Sequence, residues 1–231
     1  MKWFGKDDDG CIRVAGLPVS DVWRGDTEAL LDGFEPENPS LLVPRKYGLG
    51  WSLNVGAVAV KAGWIRPDDS LPDLADHVPV SLRKAISVAP LIGGMLTVGL
   101  SVLVAQKKNV AIKWSLFGMP TKFSRGSKAA LPPVLLNAAV ALLPRLTSQK
   151  APLSQTAVDI SARAEVLGVQ TMSVATLLAA SRSARQPAKR QLLAIAAPLF
   201  WPIVSGGIQI ACVKTALSNI EAELQNTHEE R

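Results

Sequence analysis

Four runs without Asp, Glu, Lys or Arg dominate the chain from Ala85 onward: Ala85–Gln106, Ala129–Pro144, Val166–Ser181 and Gln191–Val213. A hydrocarbon core needs roughly 20 mostly apolar residues, with a range of about 17 to 25. The first run holds 22 residues and the last 23, so both meet that length outright. The middle two hold 16 each and reach it only if an end charge such as Arg145 snorkels or polar flanks are drawn in. A soluble bundle with fully buried helices would also lack charge over four turns, but the long runs show no polar face. "AISVAPLIGGMLTVGLSVLVA" offers only Ser and Thr, which bond back to their own helix. Gln191–Val213 carries Pro198, Pro202 and the pair Gly206–Gly207, tolerated more readily in lipid than in a soluble helix interior.

The expected fold is therefore an all-α multi-pass membrane bundle of about four transmembrane helices, near 85–106, 129–147, 166–181 and 191–213. A small N-terminal extramembrane region, 1–84, precedes it and a polar tail, 214–231, follows. Between the middle runs, Ser148–Glu165 reads as an amphipathic or extramembrane helix. No apolar leader stands in Met1–Gly10, "MKWFGKDDDG", so insertion is expected to use the first spanning helix. Cys11 and Cys212 fall in different regions and make a poor disulfide or metal pair.

Charge divides along the same lines. Residues 1–84 hold 13 of the 19 acidic groups, whereas 106–128 and 182–190 together hold ten Lys and Arg and no acid. With four spans those two loops share one side. Seven basic residues flank the spans on the other: Arg66, Arg83, Lys84, Arg145, Lys150, Arg163 and Lys214. Ten against seven, in shorter loops, favours the two basic loops in the cytoplasm and the N-terminus outside. A cytoplasmic N-terminus is nevertheless the default for a long region ahead of a first span, and both orientations stay open. Basic loops beside a membrane read as headgroup contacts and topology determinants, so the lipid bilayer is the expected partner and nucleic acid is not.

The N-terminal region carries one rigid module at 34–60. Pro36, Pro39 and Pro44 forbid a helix through its first half, Gly48 and Gly50 bracket a tight turn, and "LLVP" against "WSLNV" forms a short β-hairpin. "VAGLPVSDVW" before it reads as a strand or turn, and "RGDTEALLDGF" as a short helix. Within the first span Ala89, Gly93, Thr97, Ser101 and Ala105 recur every four residues. That stripe of small residues suits helix association through Gly93, Thr97 and Ser101, either between chains or within one bundle.

Material for catalysis is scarce. His77 and His228 are the only histidines, which leaves no triad or histidine metal site, and no cofactor is expected. The aspartates at 7–9, 68, 69, 73 and 76 match no calcium loop and read as solvated surface. "GLG" at 48–50 lacks the following helix start of a phosphate cradle.

The module "NPSLLVPRKYGLGWSLNVG" resembles a short domain of unknown function found in bacterial membrane proteins. Asn38, Pro39, Val43, Pro44, Arg45, Lys46, Tyr47, Gly48, Gly50, Trp51 and Asn54 carry the likeness, with Ser52 in place of Thr and the basic pair reversed. Glycine, proline and Trp51 have structural reasons to be there. Arg45, Lys46, Tyr47 and Trp51 are the candidates for meeting a protein partner or a headgroup. "SLPDLADHVPV" and "GMPTKFSRGSK" are similar to two pieces of a membrane module in bacteriocin-immunity and signalling proteins, here separated by the first span. That likeness would place 118–128 outside the cytoplasm, against the charge count. Both resemblances imply a non-enzymatic protein: a binding, regulatory or immunity-type component, with a small transporter or channel subunit as the alternative.

Overall fold

The computed structural model describes residues 4–6, 12–14, 17–19, 33–44, 51–147 and 155–229. Strands β1 (Phe4–Lys6), β2 (Ile12–Val14) and β3 (Leu17–Val19) form an antiparallel meander, with Phe4 opposite Val14 and Val14 opposite Leu17. The helix expected from "RGDTEALLDGF" lies outside the described residues except for Gly33 and Phe34. Strands β4 (Leu42–Pro44) and β5 (Trp51–Leu53) pair as the expected hairpin, Leu42 opposite Leu53 and Pro44 opposite Trp51. Helix α1 (Val55–Lys61) follows directly and closes at Gly63, whose φ of 71° suits a residue without a Cβ. Helix α2 (Leu71–Leu74) takes Pro72 in its first turn, where a missing N–H costs nothing. A 3₁₀ turn, Ala75–His77, leads into the long helices.

Those are α3 (Val80–Ala105), α4 (Gly126–Thr147), α5 (Gln155–Ser183) and α6 (Leu192–Glu229), with a second hairpin, β6 (Val110–Trp114) and β7 (Pro120–Ser124), between α3 and α4. Among the described residues, three helical stretches are long and apolar enough to cross a membrane: Val80–Ala105, Asp159–Ser183 and Leu192–Asn226. The apolar stretch of α4, Gly126–Leu142, is shorter.

Two expectations need correcting. The chain is mostly helical but not all-α beyond residue 85, because the basic connector folds into β6–β7. Nor is the helix that carries the third charge-free run confined to that run: α5 already begins at Gln155. Residues 155–165, expected to belong to a separate connector helix, continue unbroken into α5, whose candidate span takes in Asp159, Arg163 and Glu165. Charges within a helix do not end it; they only end a run defined by their absence.

The chain forms two compact units. The first comprises Met1–Arg83, Pro144–Ala162 and Gly206–Arg231. In it Phe34, Val43, Ala57, Ala59, Ile65 and Leu71 are buried. A Cβ on Gly206 would lie 2.4 Å from Val55 Cγ1, so α6 and the start of α1 pack in direct contact. Ser161 donates to Gln209 Oε1 at 3.5 Å, both buried, and Asn219 Nδ2 donates to the His77 carbonyl at 3.0 Å.

The second unit comprises Lys84–Leu143 and Arg163–Ser205. At one end Val104, Val110, Ala130, Leu177 and Ala180 form a buried cluster that gathers α3, β6, α4 and α5. Polar bonds fix the same end: Lys107 Nζ donates to the Ser181 hydroxyl at 2.8 Å and its carbonyl at 3.2 Å, and Ser183 Oγ accepts the Ala111 N–H at 2.8 Å. A cation at the C-terminal turn of α5 satisfies carbonyls that the helix leaves open.

Helix α3 has the polarity of a soluble helix turned inside out. Val88, Leu91, Met95, Val98 and Val102 are exposed, while Thr97 and Ser101 are buried. In water an apolar stripe of this size would be hidden and the polar one exposed. Against hydrocarbon the arrangement costs nothing, and it is compatible with a membrane protein.

Candidate functional site

The β4–β5 module is organised by a residue to which the sequence reading gave no role. Asn54 is fully buried between β5 and α1 and makes four side-chain hydrogen bonds. Its Oδ1 accepts the N–H of Glu35 at 2.9 Å and that of Ala57 at 3.2 Å, the second being the N-cap of α1. Its Nδ2 donates to the carbonyls of Glu35 at 2.7 Å and Asn38 at 3.1 Å. Asn38 in turn donates to Glu35 Oε2 at 3.0 Å and accepts from the Ser40 N–H at 3.0 Å. One amide thus clamps residues 35–40 onto the start of α1. The signal was present: an Asn immediately before a run that turns helical is an N-cap.

Of the expected contact residues, Arg45, Lys46 and Tyr47 lie outside the described residues. Trp51 opens β5 opposite Pro44. Pro44 and Trp51 are paired, so the sequence that joins them, 45–50, starts and ends on one hairpin.

The small-residue stripe of α3 faces inward within the second unit. A Cβ on Gly93 would lie 2.1 Å from Gln170 Oε1, and Gln170 Nε2 donates to the Pro90 carbonyl at 2.8 Å. Thr97 Oγ1 bonds back to the Gly93 carbonyl at 2.8 Å. Thus Gly93 and Pro90 meet α5 of the same chain. Helix α4 joins the same polar layer through Asn137, which donates to Ser173 Oγ at 2.8 Å and to the Pro133 carbonyl at 2.7 Å.

Glu165 was also missed. It is the only acidic residue between Asp159 and Glu221, and it is half-buried in α5. Its carboxylate accepts hydrogen bonds from Trp201 Nε1 and from Ser205 Oγ, both on α6. Gly168, one turn along α5, permits the approach: a Cβ there would lie 2.6 Å from the Trp201 carbonyl oxygen. The joint therefore couples a carboxylate, an indole and a hydroxyl across two helices. Among the described residues no group of three or more His, Cys, Asp or Glu could hold a metal ion.

Hydrogen bonds to a charged group contribute about 1.5–3 kcal/mol. Glu165→Leu, which strips the acceptor from both partners, is expected to destabilise the detergent-purified chain by about 2–3 kcal/mol. Glu165→Gln, which keeps one acceptor oxygen, should recover part of the loss in a thermal unfolding scan. Equal midpoints for the Glu165→Leu variant and wild type would show that the two bonds add nothing net.

A family of unknown function, DUF5808, matches residues 36–61. The match begins at Pro36 in the segment Asn54 clamps and ends at the last residue of α1. No curated protein and no solved structure matches the chain.

Proposed function

We propose that this chain is a multi-pass bacterial cell-membrane protein with a non-catalytic binding, regulatory or immunity-type role, in which the β4–β5 module is the part that meets a protein partner. The inverted polarity of α3 is the observation that carries the membrane reading. What supports the binding reading is a module built around one buried amide, with Arg45, Lys46 and Tyr47 in the sequence that joins its two strands and Trp51 opening the second. In this reading α4 completes the fourth crossing with help from its flanks, and the basic ends at 106–128 and 182–190 face the cytoplasm.

Cysteine accessibility in intact cells tests the topology. On a background of Cys11→Ser and Cys212→Ala, Ser40→Cys should react with an impermeant reagent, while Thr121→Cys and Gln186→Cys should react only after permeabilisation. The opposite pattern would place the module in the cytoplasm. Labelling of Ser40→Cys together with Gln186→Cys would overturn the four-span count. The binding role is tested by copurification: Arg45→Ala and Trp51→Ala should lose a partner that wild type retains, and unchanged pull-downs would sink it.

The second reading, a small transporter or channel subunit, is favoured by one observation. Glu165 is an ionisable group in a candidate span, and such groups commonly mark ion or proton paths. Solute flux in reconstituted vesicles that disappears in Glu165→Gln would support that reading over the first.

A further inference from the structure

The tip of the second hairpin exposes apolar residues where turns normally carry Gly, Asn, Asp or Ser. Leu116 is 91% exposed and Phe117 71%, both in the segment Ser115–Met119. Four of the five backbone N–H groups of that segment, by contrast, are hydrogen-bonded within it. Ser115 N–H donates to the Met119 carbonyl at 2.8 Å, and Gly118 N–H to the Ser115 carbonyl at 2.9 Å. Ser115 Oγ accepts from the N–H groups of Phe117 at 3.3 Å and Met119 at 3.2 Å. The Gly118 carbonyl accepts the Gln191 N–H at 2.8 Å. A loop with most of its donors satisfied internally can leave water at a much lower cost than one with open N–H groups.

Two surroundings say what such a tip would meet. It abuts the start of α6: at Gly118, where φ is +76°, a Cβ would lie 2.9 Å from Ile195 Cδ1. Ile195 belongs to an exposed stripe with Leu192, Leu199 and Ile203 on one face of a candidate span. The apolar tip thus continues an apolar helix face that the membrane reading assigns to lipid. Around it the charge has one sign. Lys108, Lys113, Lys122, Arg185, Lys189 and Arg190 are exposed, and 106–128 and 182–192 contain no acid.

We propose that the β6–β7 hairpin is an anionic-lipid anchor: Leu116 and Phe117 sit at the boundary of headgroups and acyl chains beside the first turns of α6, and the surrounding lysines and arginines hold lipid phosphates. The inference rests on the membrane-spanning reading above. It commits the surface to a bilayer containing acidic phospholipid, because apolar tip, basic collar and span end occur together in the pattern of interfacial anchors.

The test uses the full chain in lipid nanodiscs, with Cys11 and Cys212 replaced and an environment-sensitive dye on Met119→Cys. Nanodiscs of phosphatidylcholine alone are compared with nanodiscs that also contain phosphatidylglycerol, each carrying spin-labelled lipid as quencher. Quenching is expected to be several-fold stronger in the anionic nanodiscs. It should fall several-fold in Leu116→Ser/Phe117→Ser, and fall toward the zwitterionic level in Lys113→Gln/Lys122→Gln, a pair on exposed strand positions that leaves the tip intact. A dye unquenched in both lipids would overturn the proposal, as would quenching indifferent to lipid charge and to the lysine substitutions. A second dye, on Leu199→Cys, separates the two levels. Quenching there without quenching at 119 sinks the hairpin anchor alone, and no quenching at either position sinks the spanning reading.

Discussion

Asn54→Ala is expected to release the N-terminal module from its helix. The substitution removes four hydrogen bonds at once from a fully buried position. It strands two backbone N–H groups, on Glu35 and Ala57, and two carbonyls, on Glu35 and Asn38. A buried group left without its partner costs about 1–3 kcal/mol, and partial relaxation of the segment sets the sum near about 4 kcal/mol rather than at the maximum. Hydrogen exchange on the full chain reads this directly, because about 4 kcal/mol lowers protection roughly a thousandfold where opening is local. Glu35 and Ala57 amides should lose it together. Asn54→Ser caps α1 but is too short to bridge to Asn38, so it should restore protection at Ala57 more than at Glu35. Unchanged exchange at both amides in Asn54→Ala would show that the clamp is not what holds the module.

Gly126→Ala should be the most damaging single methyl in the second unit. The start of α4 passes against the end of α3, and a Cβ on Gly126 would lie 1.8 Å from the Val104 carbonyl oxygen and 2.9 Å from that of Lys107. Both obstacles are backbone, and the Gly126 N–H is bonded to the Lys107 carbonyl at 2.9 Å. The chain can admit the methyl only by breaking that bond and moving α4, with its Ala130, away from Val104 and Val110. Overpacking of this kind costs about 3 kcal/mol, which lowers a thermal midpoint by roughly 10 °C in a chain of this size. Gly99→Ala is the matched control. Nothing lies within 4 Å of a Cβ there, and replacing a helical glycine by alanine gains about 1 kcal/mol of helix propensity. Equal midpoints for the two variants would refute the close approach at Gly126.

The long apolar helices over 85–106 and 191–213 were legible because absence of charge over that length has few explanations. The hairpin at 42–53 was legible because Pro39, Pro44, Gly48 and Gly50 leave a chain little else to do. Other features stayed hidden for physical reasons. Lys113 and Lys122 made 106–128 read as a basic loop, although "VAIKW" and "PTKFS" are β-prone pentapeptides separated by a glycine-containing turn. Glu165 stayed hidden because a run bounded by charges excludes by construction the charge beside it. Its partners Trp201 and Ser205 lie 36 and 40 residues away, a separation that no local pattern reports. Asn54 stood among the residues that carry the resemblance, but its partners come from positions 35, 38 and 57, and only the fold brings them to one side chain.

The bond from Gln170 to Pro90 joins residues 80 positions apart, and that interval is also a time. At about 5–20 residues per second, the ribosome needs roughly 4–16 s to add those residues. On the membrane reading, α3 spends that wait among lipids without its partner. It is equipped to do so, because Thr97 already satisfies itself on the Gly93 carbonyl. Helix α5, carrying Gln170 and Glu165, has no such independence. On that reading its arrival is expected to be the step at which Gln170 must find α3 and Glu165 must find α6.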